Sequence, residues 1–291
     1  MELMTEITPR PVLRLHPAHR DDIGDLTTRR PVPGPGLDQV DPFLFLNHHG
    51  PQTYPPGNRG LPFGPHPHRG FETVTFILDG ELAHNDSGGG ESIIKAGGIQ
   101  WMTAGSGLIH AELSPADFKR DGGLMEILQL WVNLPSRLKM TKPDYVGLQK
   151  SDIPTFTTEG GVTVEPVSGE WLGGAAPIQS LIDIHLAVVR LPAGARFETP
   201  VAPGRNVFFY AIKGQVSVAG TLVPEWNLAS LGDGDMVEIT AQTDAVVLLG
   251  HAQPINEPVF SHGPFVMNTR EEIIQAVQDY QSGKFGPPPR V

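Results

Sequence analysis

Four residues in this sequence combine donor chemistry with a spacing that places the donors together. His66 and His68 stand one residue apart in "FGPHPHRGFETVTFILDG", each behind a proline, and His110 and Glu112 repeat the spacing about forty residues later in "GSGLIHAELS". Residues two apart on an extended strand project to the same face. Each pair can therefore offer two donors to one interior. Three neutral imidazoles and one carboxylate make a nitrogen/oxygen set of borderline softness, suited to Fe(II), Mn(II), Ni(II), Cu(II) or Zn(II). On a six-coordinate ion such a set leaves one or two positions for substrate or O2. Pro65 and Pro67 fix φ and donate no ladder hydrogen bond, which favours a rigid extended segment. Gly105 and Gly107 permit a tight turn ahead of His110.

Other candidates carry less. Glu72 lies four residues after His68, with the parity of a rival carboxylate ligand or of a group that orients a ligand. His48 and His49 are adjacent, so on a strand they point to opposite faces. His84, His185, His251 and His262 are isolated and read as structural or surface residues. Trp101, Gln129 and Trp131 line a cavity or belong to the core.

Composition excludes several classes of function. The 291 residues contain no cysteine, which removes disulfides, thiolate metal sites and a cysteine nucleophile. A formal net charge of −11 argues against direct nucleic-acid binding and against attraction to an anionic membrane. Apolar runs such as "AVVLL" at Ala245 to Leu249 are too short to span a bilayer. The start "MELMTEITPR" lacks the basic stretch and apolar core of a secretory signal. A soluble cytoplasmic protein is the expectation.

The surroundings of the four residues predict an all-β chain. The 34 glycines and 29 prolines are spread without a period between short apolar runs. "VLRLH", "FLFLNH", "ETVTFIL" and "MEILQLWVNL" in the first half, and "IDIHLAVVRL", "NVFFYAIKG", "DMVEIT" and "AVVLLG" in the second, have strand composition. One helix is expected over "NTREEIIQAVQDYQSG". Thr269 and Glu272 form a capping box, Ile273, Ile274, Val277 and Tyr280 an apolar face, and Gly283 a stop. "ETVTFILDGEL" (Glu72 to Leu82) aligns with "NVFFYAIKGQV" (Asn206 to Val216), and "KAGGIQW" more weakly with "LGDGDMV", so a duplicated β domain is expected. At that offset His66 and His68 fall on Pro200 and Ala202, and His110 and Glu112 near Val246 and Leu248. One half then carries the site and the other none. The polar stretch between the halves places a boundary near residue 140, giving a metal-binding domain over 1–140 and a second domain without ligands over 141–291.

With these motifs in view, "HPHRGFET" (His66 to Thr73), "QWMTAGSGLIHAE" (Gln100 to Glu112), "LWVNLP" (Leu130 to Pro135) and the closing "GPFVMNTREEIIQAVQDYQSGKFG", the chain resembles the pirin family of the cupin superfamily over nearly its whole length. The resemblance implies a bicupin, two antiparallel jelly-roll β-barrels with a short C-terminal helix. It implies ligation by His66, His68, His110 and Glu112, usually of iron, Fe2+, and assigns Glu72 to a supporting role outside the ligand set. "LNHHGP" departs from the family pattern, with Asn47 where relatives often carry an acid. Bacterial relatives are similar in activity to quercetin 2,3-dioxygenases, which implies a flavonol and O2 as substrates and Glu112 as the base that takes the flavonol proton. The alternatives are a metal- and redox-dependent regulatory protein that binds a partner protein, and a cupin enzyme of other specificity.

Overall fold

The computed structural model describes residues 7–290. The chain divides into two compact units. Among the described residues one comprises 20–30, 42–152 and 255–290; the other comprises 7–19, 31–41 and 153–254. Each pairs a seven-stranded antiparallel sheet with a four-stranded one, the double-sheet form of a jelly roll.

In the first unit the larger sheet runs Asp144–Leu148, Ile99–Thr103, Phe71–Asp79, Gly123–Asn133, Phe43–Tyr54, Thr28–Val32, His19–Arg20. The smaller runs Phe63–His68, Leu108–Leu113, Glu81–Asp86, Glu91–Lys95. Strand Phe71–Asp79 lies in the middle of its sheet and is buried along seven consecutive residues. A strand covered on both faces reads as an unbroken apolar run, and "FETVTFI" departs from one only at Glu72 and its threonines. Leu26, Tyr54, Ile77, Leu82, Ile94, Met125 and Ile127 form the apolar floor of this unit. Full burial of each large side chain among them stabilises by roughly 1.5–3 kcal/mol.

The second unit repeats the plan with Arg196–Pro200, Met236–Ala241, Val216–Val218 and Thr221–Val223 as its smaller sheet. By position in the sheets, Arg196–Pro200 and Met236–Ala241 match the strands that carry His66, His68, His110 and Glu112. This corrects the offset read from the sequence. Val246 and Leu248 lie on Ala245–Ala252, a central strand of the larger sheet, because the turns of the two halves differ in length. The inward residues of the matching pair are Phe197, Thr199, Val237, Ile239 and Ala241, and all but Thr199 belong to the unit's hydrophobic core. Packed apolar side chains fill the space that histidines occupy in the other unit.

The single boundary near residue 140 also differs from the structure. Strand Val12–Pro17 hydrogen-bonds along Asn227–Leu231 as the edge of the second unit's sheet. Residues 255–290 belong with the first unit. Both segments join strands far away in sequence, and composition near a linker carries no trace of such pairing.

The C-terminal helix spans Arg270–Gln281. Thr269 Oγ1 accepts from the Glu272 amide at 3.2 Å, and the Glu272 carboxylate accepts from the Thr269 amide at 2.9 Å, which completes the capping box. Its buried face is Ile273, Ala276 and Asp279, whereas Ile274 and Tyr280 are exposed. The buried stripe is thus narrower than the expected one. Thr269→Ala should lower the free energy of unfolding by about 1 kcal/mol in urea titrations, with Thr269→Ser close to the parent.

Two of the histidines buried away from the candidate ligands are His49, in the first unit, and His251, in the second. His49 Nδ1 bonds to Thr28 Oγ1 at 2.8 Å. His251 Nδ1 accepts from Arg205 Nε at 2.8 Å, so that nitrogen carries a lone pair. Burial, reinforced by neighbouring cationic groups, pushes both imidazoles down to about 3. Between about pH 6.5 and pH 3 the unfolded chain takes up protons that the folded chain refuses, so stability falls as pH falls through this window. Each group should remove about 2 kcal/mol between pH 7 and pH 5. The urea midpoint should drop accordingly, and more shallowly in His251→Gln.

Candidate metal centre

The strands Phe63–His68 and Leu108–Leu113 pair antiparallel with His110 opposite His66 and Leu108 opposite His68. This register brings three imidazoles together. Ring centroids are 4.8 Å apart for His66–His68, 4.3 Å for His66–His110 and 4.9 Å for His68–His110. One ring nitrogen from each lies within 4.8 Å of the others. His68 and His110 are buried, and His66 is partly buried.

The hydrogen bonds fix two tautomers. His66 Nδ1 lies 2.7 Å from the Gly64 carbonyl and His68 Nδ1 lies 3.2 Å from the Pro264 carbonyl. A carbonyl only accepts, so both Nδ1 atoms carry the proton and both Nε2 atoms carry a lone pair. Burial pushes the His68 imidazole down to about 3, with His66 adding to it. Burial lowers His110 as well, and His68, His66 and His84 lower it further. Both ring nitrogens of His110 are buried without a hydrogen-bond partner. Three imidazoles with one ring nitrogen each brought within 4.8 Å, one ring orphaned on both nitrogens, fit a bound transition-metal ion.

Glu112 follows His110 by two residues on the same strand and is buried. Its carboxylate stands outside the 4.8 Å group of imidazole nitrogens. Thr75 Oγ1 donates to one oxygen at 2.9 Å and Gln129 Nε2 to the other at 2.5 Å. Gln129, expected to line a cavity, instead holds this carboxylate. Glu72 does not belong to the cluster. It is three residues from Thr75 on one strand, so it points to the opposite face of that sheet from the residue that holds Glu112. There it accepts from Thr103 Oγ1 at 2.6 Å, its other oxygen is buried without a partner, and burial raises its pKa. The turn at Arg69 and Gly70 resets the alternation on which its expected role depended.

Trp101 is a core residue, and Trp131 lies 5.4 Å from the His68 ring, stacked on Phe45. His48 and His49 face opposite ways, His48 to Glu126 at 2.8 Å and His49 to Thr28. His84 is not isolated: its ring centroid is 5.4 Å from that of His110. An H-x-D pattern, His84 and Asp86 in "AHND", was the available signal.

A group of buried cations anchors the turn that follows His68. Arg69 donates to the Ser106 carbonyl at 2.7 Å and to Asp279 at 2.8 Å, with its guanidinium 4.7 Å over the Phe285 ring. Lys139 Nζ donates to the Gly70 carbonyl at 2.9 Å, to Asn133 Oδ1 at 2.6 Å and to the Val266 carbonyl at 3.1 Å. Burial lowers this lysine to about 8. Gly70 has φ of +89°, and a Cβ there would stand 2.0 Å from the Val266 oxygen, so only glycine fits.

Comparison with known proteins agrees with this geometry. The Pirin family model matches residues 25–132, and the model of the pirin C-terminal cupin domain matches residues 186–286. The chain belongs to the pirin family. A pirin-like protein of Caulobacter vibrioides is 43% identical over 279 residues, covering 95% of this chain and 99% of that protein. Human pirin is 38% identical over 267 residues, covering 89% and 87%. The crystal structure of a quercetin 2,3-dioxygenase from Acinetobacter baumannii superposes with a TM-score of 0.89 at 34% identity, covering 96% of this chain and 99% of that one. The match of a second, C-terminal cupin domain model agrees with the two-unit plan. No helix among the described residues is long and apolar enough to cross a membrane.

Lys139→Met tests the anchor of the pirin site. It would leave three buried oxygens without their donor, and should cost about 3 kcal/mol in chemical denaturation. A cost below 1 kcal/mol would show that the turn does not depend on the lysine.

Proposed function

We propose that this chain is a metal-dependent dioxygenase of the quercetin 2,3-dioxygenase type, cleaving flavonols with O2. His66, His68, His110 and Glu112 are its ligand set, and Fe2+ is its metal. The observation that carries the reading is the convergence of three imidazole nitrogens within 4.8 Å, with the buried carboxylate of Glu112 two residues after His110 on its strand. The similarity to a quercetin 2,3-dioxygenase over nearly the whole chain supports the substrate class.

A redox-active divalent ion held there supplies Lewis acidity toward the flavonol 3-oxygen and a route for electrons between flavonol and O2. The protein supplies the rest. His66 and His68, their Nδ1 protons committed to carbonyls, present Nε2 in fixed orientations, so little freedom is lost on ligation. Glu112 takes the proton of the flavonol 3-hydroxyl, which leaves the substrate as an electron-rich enolate. Thr75 and Gln129 hold the carboxylate in place for that transfer. Both atoms of O2 enter the ring-opened product, and carbon 3 leaves as CO. Burial around His68 and His110 keeps water from competing at the reacting face.

Metal content of protein purified without chelator tests the ligand set. About one equivalent of a transition metal is expected, lost in His110→Ala. The Fe2+-loaded protein should consume O2 in the presence of flavonol at a rate well above His66→Ala. Glu112→Gln should lower the rate by about 10²-fold or more. Oxygen uptake equal to that of the His66→Ala control would reject the dioxygenase reading, even where metal binds.

A further inference from the structure

The three imidazoles do not share one kind of support. His66 and His68 are each oriented by a carbonyl oxygen on Nδ1, at 2.7 and 3.2 Å. His110 has no such bond, and both of its ring nitrogens lack a protein partner. Metal-bound imidazoles are ordinarily oriented through their second nitrogen by a carboxylate, a carbonyl or water. Something else must hold this ring.

The neighbouring strand supplies it. Glu81–Asp86 pairs antiparallel with Leu108–Leu113, with Asp86 opposite His110 and His84 opposite Glu112. His84 therefore projects to the same face as the candidate ligands. It is buried, and its ring centroid lies 5.4 Å from that of His110 at 48°, within the range of favourable ring–ring packing.

His84 is itself fixed from two further directions. Its Nε2 bonds to Asp86 Oδ2 at 2.9 Å. Its face stacks on Tyr145 at 3.8 Å and 5°. Asp86 is locked in turn, its Oδ1 accepting from the Gly88 and Gly90 amides at 2.7 and 3.0 Å. A Cβ at Gly90 would stand 2.3 Å from Asp86 Oδ2, so a glycine lets the loop close over this carboxylate. Tyr145 is tied at its hydroxyl to Ser92 Oγ at 2.5 Å. The chain thus devotes one loop and one edge strand to immobilising a histidine that the proposed reaction does not use.

We propose that His84, clamped between Asp86 and the face of Tyr145, is the positioning residue for His110, and that its ring replaces the hydrogen bond that orients His66 and His68. The inference rests on the metal reading of the histidine cluster. Two consequences separate it from a merely structural role. Removal of the His84 ring should loosen metal binding rather than only lower stability. A flat apolar ring in the same slot should restore binding, because the wall acts by packing.

The test measures the Cu(II) affinity of the full-length protein by competition with a chromophoric chelator, together with the electron paramagnetic resonance spectrum of the Cu(II) form. His84→Ala should bind about 10–100-fold more weakly than the parent and broaden or shift the signal. His84→Phe should stay within about threefold of the parent and keep its spectrum. Should His84→Ala fold poorly, Tyr145→Leu removes the stack from outside, and weaker binding is again expected. Parental affinity and spectrum in the variant that folds would overturn the proposal while leaving the metal site intact. A His84→Phe protein as weak as His84→Ala would also overturn it, because imidazole chemistry rather than packing would then be at work. Failure of the parent to bind any metal would remove the metal reading and this inference with it.

Discussion

The packing of three imidazoles with their ring nitrogens brought together is the constraint on which the rest of the first unit depends. An unpaired buried acceptor costs roughly 1–3 kcal/mol, and a proton on any of these rings would bring a charge into a dry interior. Such a cluster persists in a fold only if the surroundings hold it. Here they do so ring by ring. Gly64 and Pro264 fix the tautomers of His66 and His68, and the register of two antiparallel strands sets His110 opposite His66. The second unit shows the alternative solution. On the matching strands Phe197, Val237 and Ile239 pack into the core, and no convergent donor group forms among the described residues. The same sheet plan supports a barrel filled with apolar side chains or one that gathers three histidines, according to what its inward positions carry.

Much of the site was legible because a strand has a period of two. H-x-H and H-x-E can each be read as a pair of same-face donors without knowledge of the fold, and the structure brings the three histidines together. What periodicity could not carry across was a turn. Glu72 has the right spacing from His68 only if the strand runs straight, but Arg69 and Gly70 break it, and Glu72 faces away. For the same reason the internal repeat was found on the central strands, "ETVTFILDGEL" and "NVFFYAIKGQV", whereas the offset for His110 slipped to Ala245–Ala252. Turns of unequal length accumulate between one strand and the next. His84 was missed because its importance comes from a lateral neighbour in the sheet, His110, twenty-six residues on. The exchange of terminal segments between the units was likewise invisible, since sheet edges are completed by hydrogen bonds that side-chain composition does not encode.

The C-terminal segment shows how distant sequence becomes part of the site. Pro264 accepts from His68, Val266 accepts from Lys139, and Asp279 accepts from Arg69. All three converge on the turn His68-Arg69-Gly70. Two buried cations in so short a stretch would be costly if unpaired, yet each finds full-strength acceptors at 2.6 to 3.1 Å. The capped helix Arg270–Gln281 presents Asp279 on its buried face, where the carboxylate meets Arg69.

These contacts also bear on how a ligand cluster of this kind is kept ready for use. A ring held by one hydrogen bond can still pivot about it, and a ring held by packing alone can still tilt. The two modes therefore complement each other. His66 and His68, on a proline-stiffened strand, need only their second nitrogens fixed. His110 lies on a strand preceded by the Gly105–Gly107 turn, with no protein partner on either nitrogen, so lateral packing must limit its tilt. The stack of Tyr145 on His84, parallel to within 5°, is suited to that task because a face-to-face contact resists rotation out of plane more than sliding within it. The energy needed to assemble the site is thereby spent when the barrel folds, before any metal or substrate arrives.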